Sequence, residues 1–173
     1  MELWDIYDIH RNKTGRVINR NSNERLEDGE YHLVVEAIII NSIGRILLSK
    51  RSEFKQKYPL MWEFTGGACI KGENGLQAIL REIKEELGPN FKETDATFYK
   101  TLRDDKARYF KDTWLFTKNI EIKDLKFTDR EVIDSKWVTI EEFEIMYNQK
   151  EIIPTIDFTR KDYEKIKNSI KSI

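Results

Sequence analysis

Gly67-Ala68-Cys69-Ile70-Lys71-Gly72-Glu73 is followed, after seven residues, by Arg81-Glu82-Ile83-Lys84-Glu85-Glu86-Leu87-Gly88, a glycine-rich loop running into an acidic helix. At about 3.6 residues per turn, Glu82, Glu85 and Glu86 fall on one helix face. Asn74 with Gln77 three residues on predicts the N-cap and capping-box partner of that helix. Leu76, Ile79, Leu80, Ile83 and Leu87 follow the i, i+3, i+4 spacing of a buried stripe. The three glutamates lie roughly 120° from the centre of the stripe. Ala78 sits among them, where its small side chain leaves room for an ion and a phosphate. Arg81 lies between the two faces, within reach of Glu73. Like charges at i, i+3 and i+4 repel by a few tenths of a kcal/mol per pair. A hard divalent cation bound by carboxylate oxygens offsets that repulsion. Gly66 and Gly67 permit close backbone approach, so a main-chain carbonyl there can join the same coordination shell.

The pattern G-x5-E-x7-R-E-aliphatic-x-E-E-x-G resembles the Nudix box. Gly67, Glu73, Arg81, Glu82, Glu85, Glu86 and Gly88 match its fixed positions, and Ile83 fills the aliphatic slot. Pro89 departs from the usual aliphatic residue, but a proline after a terminal glycine is an ordinary helix stop. The resemblance covers about residues 31–148. It implies an α/β fold, a Nudix-like α/β/α sandwich with a mixed central sheet. It also implies metal-assisted hydrolysis of a nucleoside diphosphate linked to another moiety, with Mg²⁺ or Mn²⁺ as cofactor. On that resemblance Glu82, Glu85, Glu86 and the Gly66 carbonyl hold the metal. Arg81 braces the loop, and either Glu85 or a later loop acid serves as general base. Glu131, next to a predicted strand, is preferred over Asp129 for that role.

Composition narrows the alternatives. Charged residues make up 35% of the chain, yet the net charge is only -1. An extended nucleic-acid footprint needs a clustered basic excess. The one cysteine, Cys69, cannot form an internal disulfide, so a cytoplasmic home is the expectation. The N-terminus lacks the character of a signal peptide. The longest apolar run, Ala37 to Ile40, is far too short for a bilayer.

Three regions are predicted: an N-terminal hairpin extension over 1–29, a catalytic domain over 30–150 and a C-terminal helical tail over 151–173. The hairpin, within 3–20, turns at Asn12-Lys13-Thr14-Gly15 and resembles extensions that form homodimers or cover substrate in some Nudix hydrolases. Strands are predicted at Tyr31 to Ile40, Arg45 to Lys50, Ala96 to Leu102, Ala107 to Thr117 and Val132 to Val138. The fourth alternates Phe110, Asp112, Trp114 and Phe116, the period of a half-buried strand. Thr139 and Glu142 form a second capping box, and a last helix is predicted from Asp157 to Lys171.

Other residues carry less chemistry. His10 and His32 have no companion ligands in sequence. Cys69 has no nearby histidine to activate it. Trp4, Tyr7, Tyr109 and Trp114 sit at strand spacing that suits core packing as well as base stacking. Two further readings share the fold: an isopentenyl-diphosphate isomerase, whose active-site cysteine aligns with Gly67 rather than Cys69, and a non-catalytic sensor of nucleotide sugars. Sensors often lose box glutamates, and all are present here.

Overall fold

The computed structural model describes residues 2–128 and 130–170. It is an α/β fold with a mixed central sheet, three α-helices among the described residues and an N-terminal antiparallel hairpin. The strands are β1 (Leu3–Tyr7), β2 (Lys13–Asn19), β3 (His32–Ile40), β4 (Ile46–Arg51), β5 (Trp62–Glu63), β6 (Thr65–Ala68), β7 (Ala96–Asp104), β8 (Tyr109–Thr117) and β9 (Val132–Val138). The helices are α1 (Gly75–Leu87), α2 (Ile140–Asn148) and α3 (Arg160–Ile170). The chain forms two compact units. One comprises Met1–Ala37, Gly66–Lys84 and Asn90–Leu115, and the other Ile38–Thr65, Glu85–Pro89 and Phe116–Ile173.

In the first unit β1 and β2 pair antiparallel, with Trp4 opposite Ile18. The hairpin turn lies at Asp8 to Asn12, earlier than the sequence predicts. Asp8 is the reason: its carboxylate accepts the backbone N–H of His10 (2.9 Å) and of Asn12 (2.8 Å). Such Asx hydrogen bonds close a turn locally, and Lys13 to Gly15 are thereby drawn into β2. Ile6, Ile18, Leu33, Val35, Ile79 and Ile83 are buried, each stabilising the unit by about 1.5–3 kcal/mol.

β8 departs from its predicted half-buried character, because Phe110 through Thr113 are all buried. Lys111 and Thr113, on the opposite parity from Phe110, both donate to Glu36 of β3, at 3.2 and 3.3 Å. An enclosed polar cluster therefore covers the face that alternation assigns to solvent.

In the second unit β4 pairs with β5 and β9, and Ile40 at the end of β3 lies opposite Ile46. Phe64, Phe143 and Phe158 pack with ring centroids 5.4 to 5.9 Å apart. The capping box on α2 forms as expected: Thr139 N donates to Glu142 at 2.7 Å and Glu142 N to Thr139 Oγ1 at 3.2 Å. α3 begins three residues later than predicted, because Thr159 and Asp162 form an equivalent box (2.9 and 3.4 Å). Its predicted end at Lys171 lies outside the described residues.

Candidate active site

The loop before α1 is shaped by what its glycines allow. A Cβ on Gly66 would sit 2.1 Å from the Val35 carbonyl oxygen, so only glycine permits this approach of β6 to β3. A Cβ on Gly67 would lie 2.3 Å from Glu82 Oε1. The Glu82 carboxylate therefore rests directly against the glycine backbone. α1 starts as the sequence predicts: Gln77 N donates to Asn74 Oδ1 at 2.9 Å, and Asn74 N to Gln77 Oε1 at 3.0 Å.

Arg81 ties helix to loop. Its Nε and Nη2 donate to the two oxygens of Glu73 at 2.8 and 3.0 Å. Nη2 also reaches the Ala68 carbonyl at 3.0 Å, and Nη1 reaches Glu82 at 2.8 Å. Glu73 in turn accepts the Ile70 N–H at 3.1 Å. Burial works against the guanidinium charge, but the contacts to Glu73 and Glu82 outweigh it and raise its pKa. A planar fork meeting two carboxylates and a carbonyl is geometry that only arginine offers.

The three box carboxylates differ in environment. Glu85 is exposed and Glu82 is half-buried, while Glu86 is fully enclosed, as is Ala78 two turns before it. The acidic face is therefore not a solvent face throughout. Ala78 and Glu86, the ends of the row Ala78, Glu82, Glu86 (i, i+4, i+8), are enclosed, and Ala78 leaves no open space. Among the described residues no three His, Cys, Asp or Glu side chains are gathered closely enough to hold an ion as they stand; Glu82 turns toward Arg81 instead. The donor set still suits a hard cation: carboxylate oxygens on one helix beside a glycine loop, one of them enclosed, where a carboxylate is stable only against a cation or donors.

The hairpin grips this loop. Lys71 N donates to the Leu3 carbonyl at 2.7 Å, and Gly72 N to Asp5 Oδ2 at 2.9 Å. Lys13 pairs with the same Asp5 oxygen at 2.6 Å. At the hairpin turn, Arg11 reaches buried Asp112 of β8 at 2.5 Å, and Thr101 donates to the same carboxylate. Asp112 also abuts Gly75, where a Cβ would be 2.7 Å from Oδ2. Sequence reading misses Asp112 as a site neighbour, although an aspartate in register with Phe110 and Phe116 is the available signal.

Cys69 is enclosed beside this cluster. Burial pushes its thiol up to about 12; Glu73 and Asp112 add to the effect and Arg81 opposes it. It stays a protonated spacer. Trp4 stacks on His32 with centroids 4.4 Å apart, Tyr109 meets His32 edge-on, Tyr7 is buried, and Trp114 packs against Phe98. These aromatics and His32 serve packing, and His10 lies exposed at the hairpin turn.

The later loop acids lie elsewhere along the chain. Asp129 falls outside the described residues. Glu131 forms an ion pair with Lys55, and its carbonyl accepts Ser52 N at 2.8 Å. The segment leading to it follows the end of α1: Lys126 N donates to Leu87 O at 2.8 Å, and Thr128 Oγ1 to Glu85 O at 2.8 Å. No helix among the described residues is long and apolar enough to cross a membrane.

A glycine-bedded loop tied by arginine to a helix of glutamates is the local architecture that the Nudix box describes. Residues 30–156 match the family model described as NUDIX domain. An uncharacterized Nudix hydrolase of Listeria monocytogenes is 36% identical over 157 residues, covering 89% of each chain. One of Listeria innocua is 37% identical over 162 residues, again covering 89% of each. The crystal structure of DR0079 from Deinococcus radiodurans is similar with a TM-score of 0.72 at 19% identity, covering 99% of this chain and 98% of that one. The chain belongs to the Nudix hydrolase family, enzymes that act on acid anhydrides.

Proposed function

We propose that this enzyme hydrolyses a phosphoanhydride bond in a nucleoside diphosphate linked to another moiety, with Mg²⁺ or Mn²⁺ as cofactor. The observation that carries the reading is the arrangement of α1, with Glu82 bedded on Gly67 and the loop locked through Arg81 to Glu73. Glu82, Glu85, Glu86 and the Gly66 carbonyl are the proposed metal ligands. When bound, the metal supplies Lewis-acid polarisation of the phosphate and acidifies an attacking water. The protein's own part is to hold carboxylates in a fixed row, exclude solvent around Glu86 and accept the water's proton. Glu85, the exposed member, is proposed for that last task. Glu131 remains the proposed alternative base; it would first have to leave Lys55. The hairpin over 1–29 is proposed to brace the catalytic domain over 30–150, with 151–173 as a helical tail. A cytoplasmic homodimer is the proposed setting.

Two observations support hydrolysis over the isomerase reading. The position that the isomerase needs as cysteine is Gly67, and a side chain there would push the Glu82 carboxylate off the glycine backbone. Cys69, with its thiol near 12, is no acid–base group at neutral pH.

The test is a metal-supplemented screen of nucleoside diphosphate derivatives with wild type, Glu85→Gln and Glu86→Gln. Each variant should lose about a hundredfold or more in kcat with an unchanged circular-dichroism spectrum. A variant that turns over at the wild-type rate removes its residue from the machinery.

A further inference from the structure

A cavity of about 340 Å³ in the second unit is lined by Ser52, Phe54, Lys55, Arg130 and Glu131. That volume lies at the lower end of the range for small-molecule sites. Phe54 is 79% exposed, an aromatic ring contributing little to the core. Ser52 is enclosed, and its hydroxyl meets no hydrogen-bond partner among the described residues. Two cations, Lys55 and Arg130, stand beside one carboxylate, Glu131, so the rim carries a net positive charge.

The loop that presents Phe54 is held rigidly. Arg51, largely buried, donates through Nη1 to both oxygens of Glu63 at 2.6 Å. Its remaining nitrogens take the Lys57 carbonyl at 2.9 Å and the Tyr58 carbonyl at 3.1 Å. Tyr58 and Leu60 adopt left-handed backbone conformations, with φ of 53° and 62°. Residues other than glycine keep such conformations where the surroundings impose them, and these cluster at ligand sites.

Arg130, which lines the cavity, is close in sequence to a contact with α1. Thr128 is hydrogen-bonded to the carbonyl of Glu85, and Arg130 is two residues further on. At no more than about 3.6 Å per residue, the Arg130 backbone lies within roughly 7 Å of Thr128.

We infer that this cavity is the nucleotide-recognition site: the base stacks on Phe54, and the phosphate nearest it meets Lys55 and Arg130. The inference rests on the hydrolase reading above and extends it to the part of the substrate that is recognised. An aromatic ring accepts any base face, and a cationic rim beside it suits a phosphate rather than a neutral ligand. The ion pair of Lys55 with Glu131 then exchanges for a contact of Lys55 with phosphate, which releases Glu131 toward solvent and ties nucleotide binding to its availability.

Binding measured calorimetrically on the full chain in EDTA separates this inference from turnover. The probes are the common nucleoside 5′-monophosphates and ribose 5-phosphate, which lacks a base. Nucleotides should bind, and Phe54→Ala should weaken them about tenfold or more while leaving ribose 5-phosphate unchanged. Phe54→Trp should retain binding, and Lys55→Gln should weaken both probe types. Thermal melting confirms that the variants fold, which is expected of Phe54 at its exposure. Unchanged nucleotide affinity in Phe54→Ala overturns the inference. So does ribose 5-phosphate binding as tightly as the nucleotides, or no nucleotide binding to wild type at millimolar concentration. Binding without metal-dependent turnover would instead count against the hydrolase reading alone.

Discussion

At the scale of single residues, two neighbouring glycines have different obligations. Gly66 yields space to backbone, the Val35 carbonyl, which cannot move without displacing β3. Gly67 yields space to the end of a flexible side chain, the Glu82 carboxylate. Gly66→Ala should therefore destabilise the fold by several kcal/mol, in the range of overpacked sites. Gly67→Ala should leave the melting temperature much closer to wild type and depress activity by swinging Glu82 off its bed. Urea denaturation and steady-state kinetics on the two variants check this; equal loss of stability in both would show that Glu82 cannot yield. Arg81 belongs to the same scale, since one guanidinium meets Glu73, Glu82 and the Ala68 carbonyl at once.

Among elements, the hairpin touches the loop before α1 directly. It supplies two acceptors, Leu3 O and Asp5 Oδ2, to backbone donors of the loop before α1. Asp5→Ala should raise the Mg²⁺ concentration needed for half-maximal activity severalfold without unfolding the protein, and metal titration of activity measures it. The pH dependence has a definite sign. Burial alone would raise the Asp5 pKa, but hydrogen bonds from Lys13 and Gly72 N and the charges of Lys13 and Lys71 hold it below its ordinary value. A carboxylate with a depressed folded pKa adds stability that is present above its unfolded pKa and lost as pH falls through the folded one. The stabilities of wild type and Asp5→Ala should thus converge below about pH 4. A gap that persists under acid would mean that Asp5 acts through packing and not through its charge.

For the molecule as a whole, the first unit encloses an ion pair. Glu36 and Lys111 meet at 3.2 Å, with side chains 10% and 7% exposed. Burial raises the Glu36 pKa, and Lys111 and Thr113 counter it. Removing one partner of such a pair usually costs about 3–5 kcal/mol, whereas replacing both by apolar residues is often neutral or stabilising. Glu36→Ala should fall in the first range, and Glu36→Met combined with Lys111→Met should recover most of the loss. Urea denaturation midpoints decide it; a double variant as unstable as the single one would mean that the polar cluster is needed for packing β3 against β8.

In the box, the helix, its capping box and the Arg81 to Glu73 brace were legible because they are set by contacts between residues fewer than about ten positions apart, where spacing and geometry are nearly the same thing. The bed of the glycine loop was not, since Gly66 is fitted to Val35 of another strand. Strand positions were also legible, because runs such as Leu33 to Ile40 are apolar enough to be buried in any arrangement. The place of the hairpin turn was not, since Asp8 outbid Gly15 through side-chain hydrogen bonds that no periodicity records. Only the tertiary structure brought Asp5 to Gly72, Arg11 to Asp112 and Lys55 to Glu131, pairs separated by 67, 101 and 76 residues. It alone enclosed Glu86 and Ala78 while leaving Glu85 exposed. A helical wheel fixes the angle of a side chain about its own axis, but the solvent it meets is set by whichever distant segment packs against that angle.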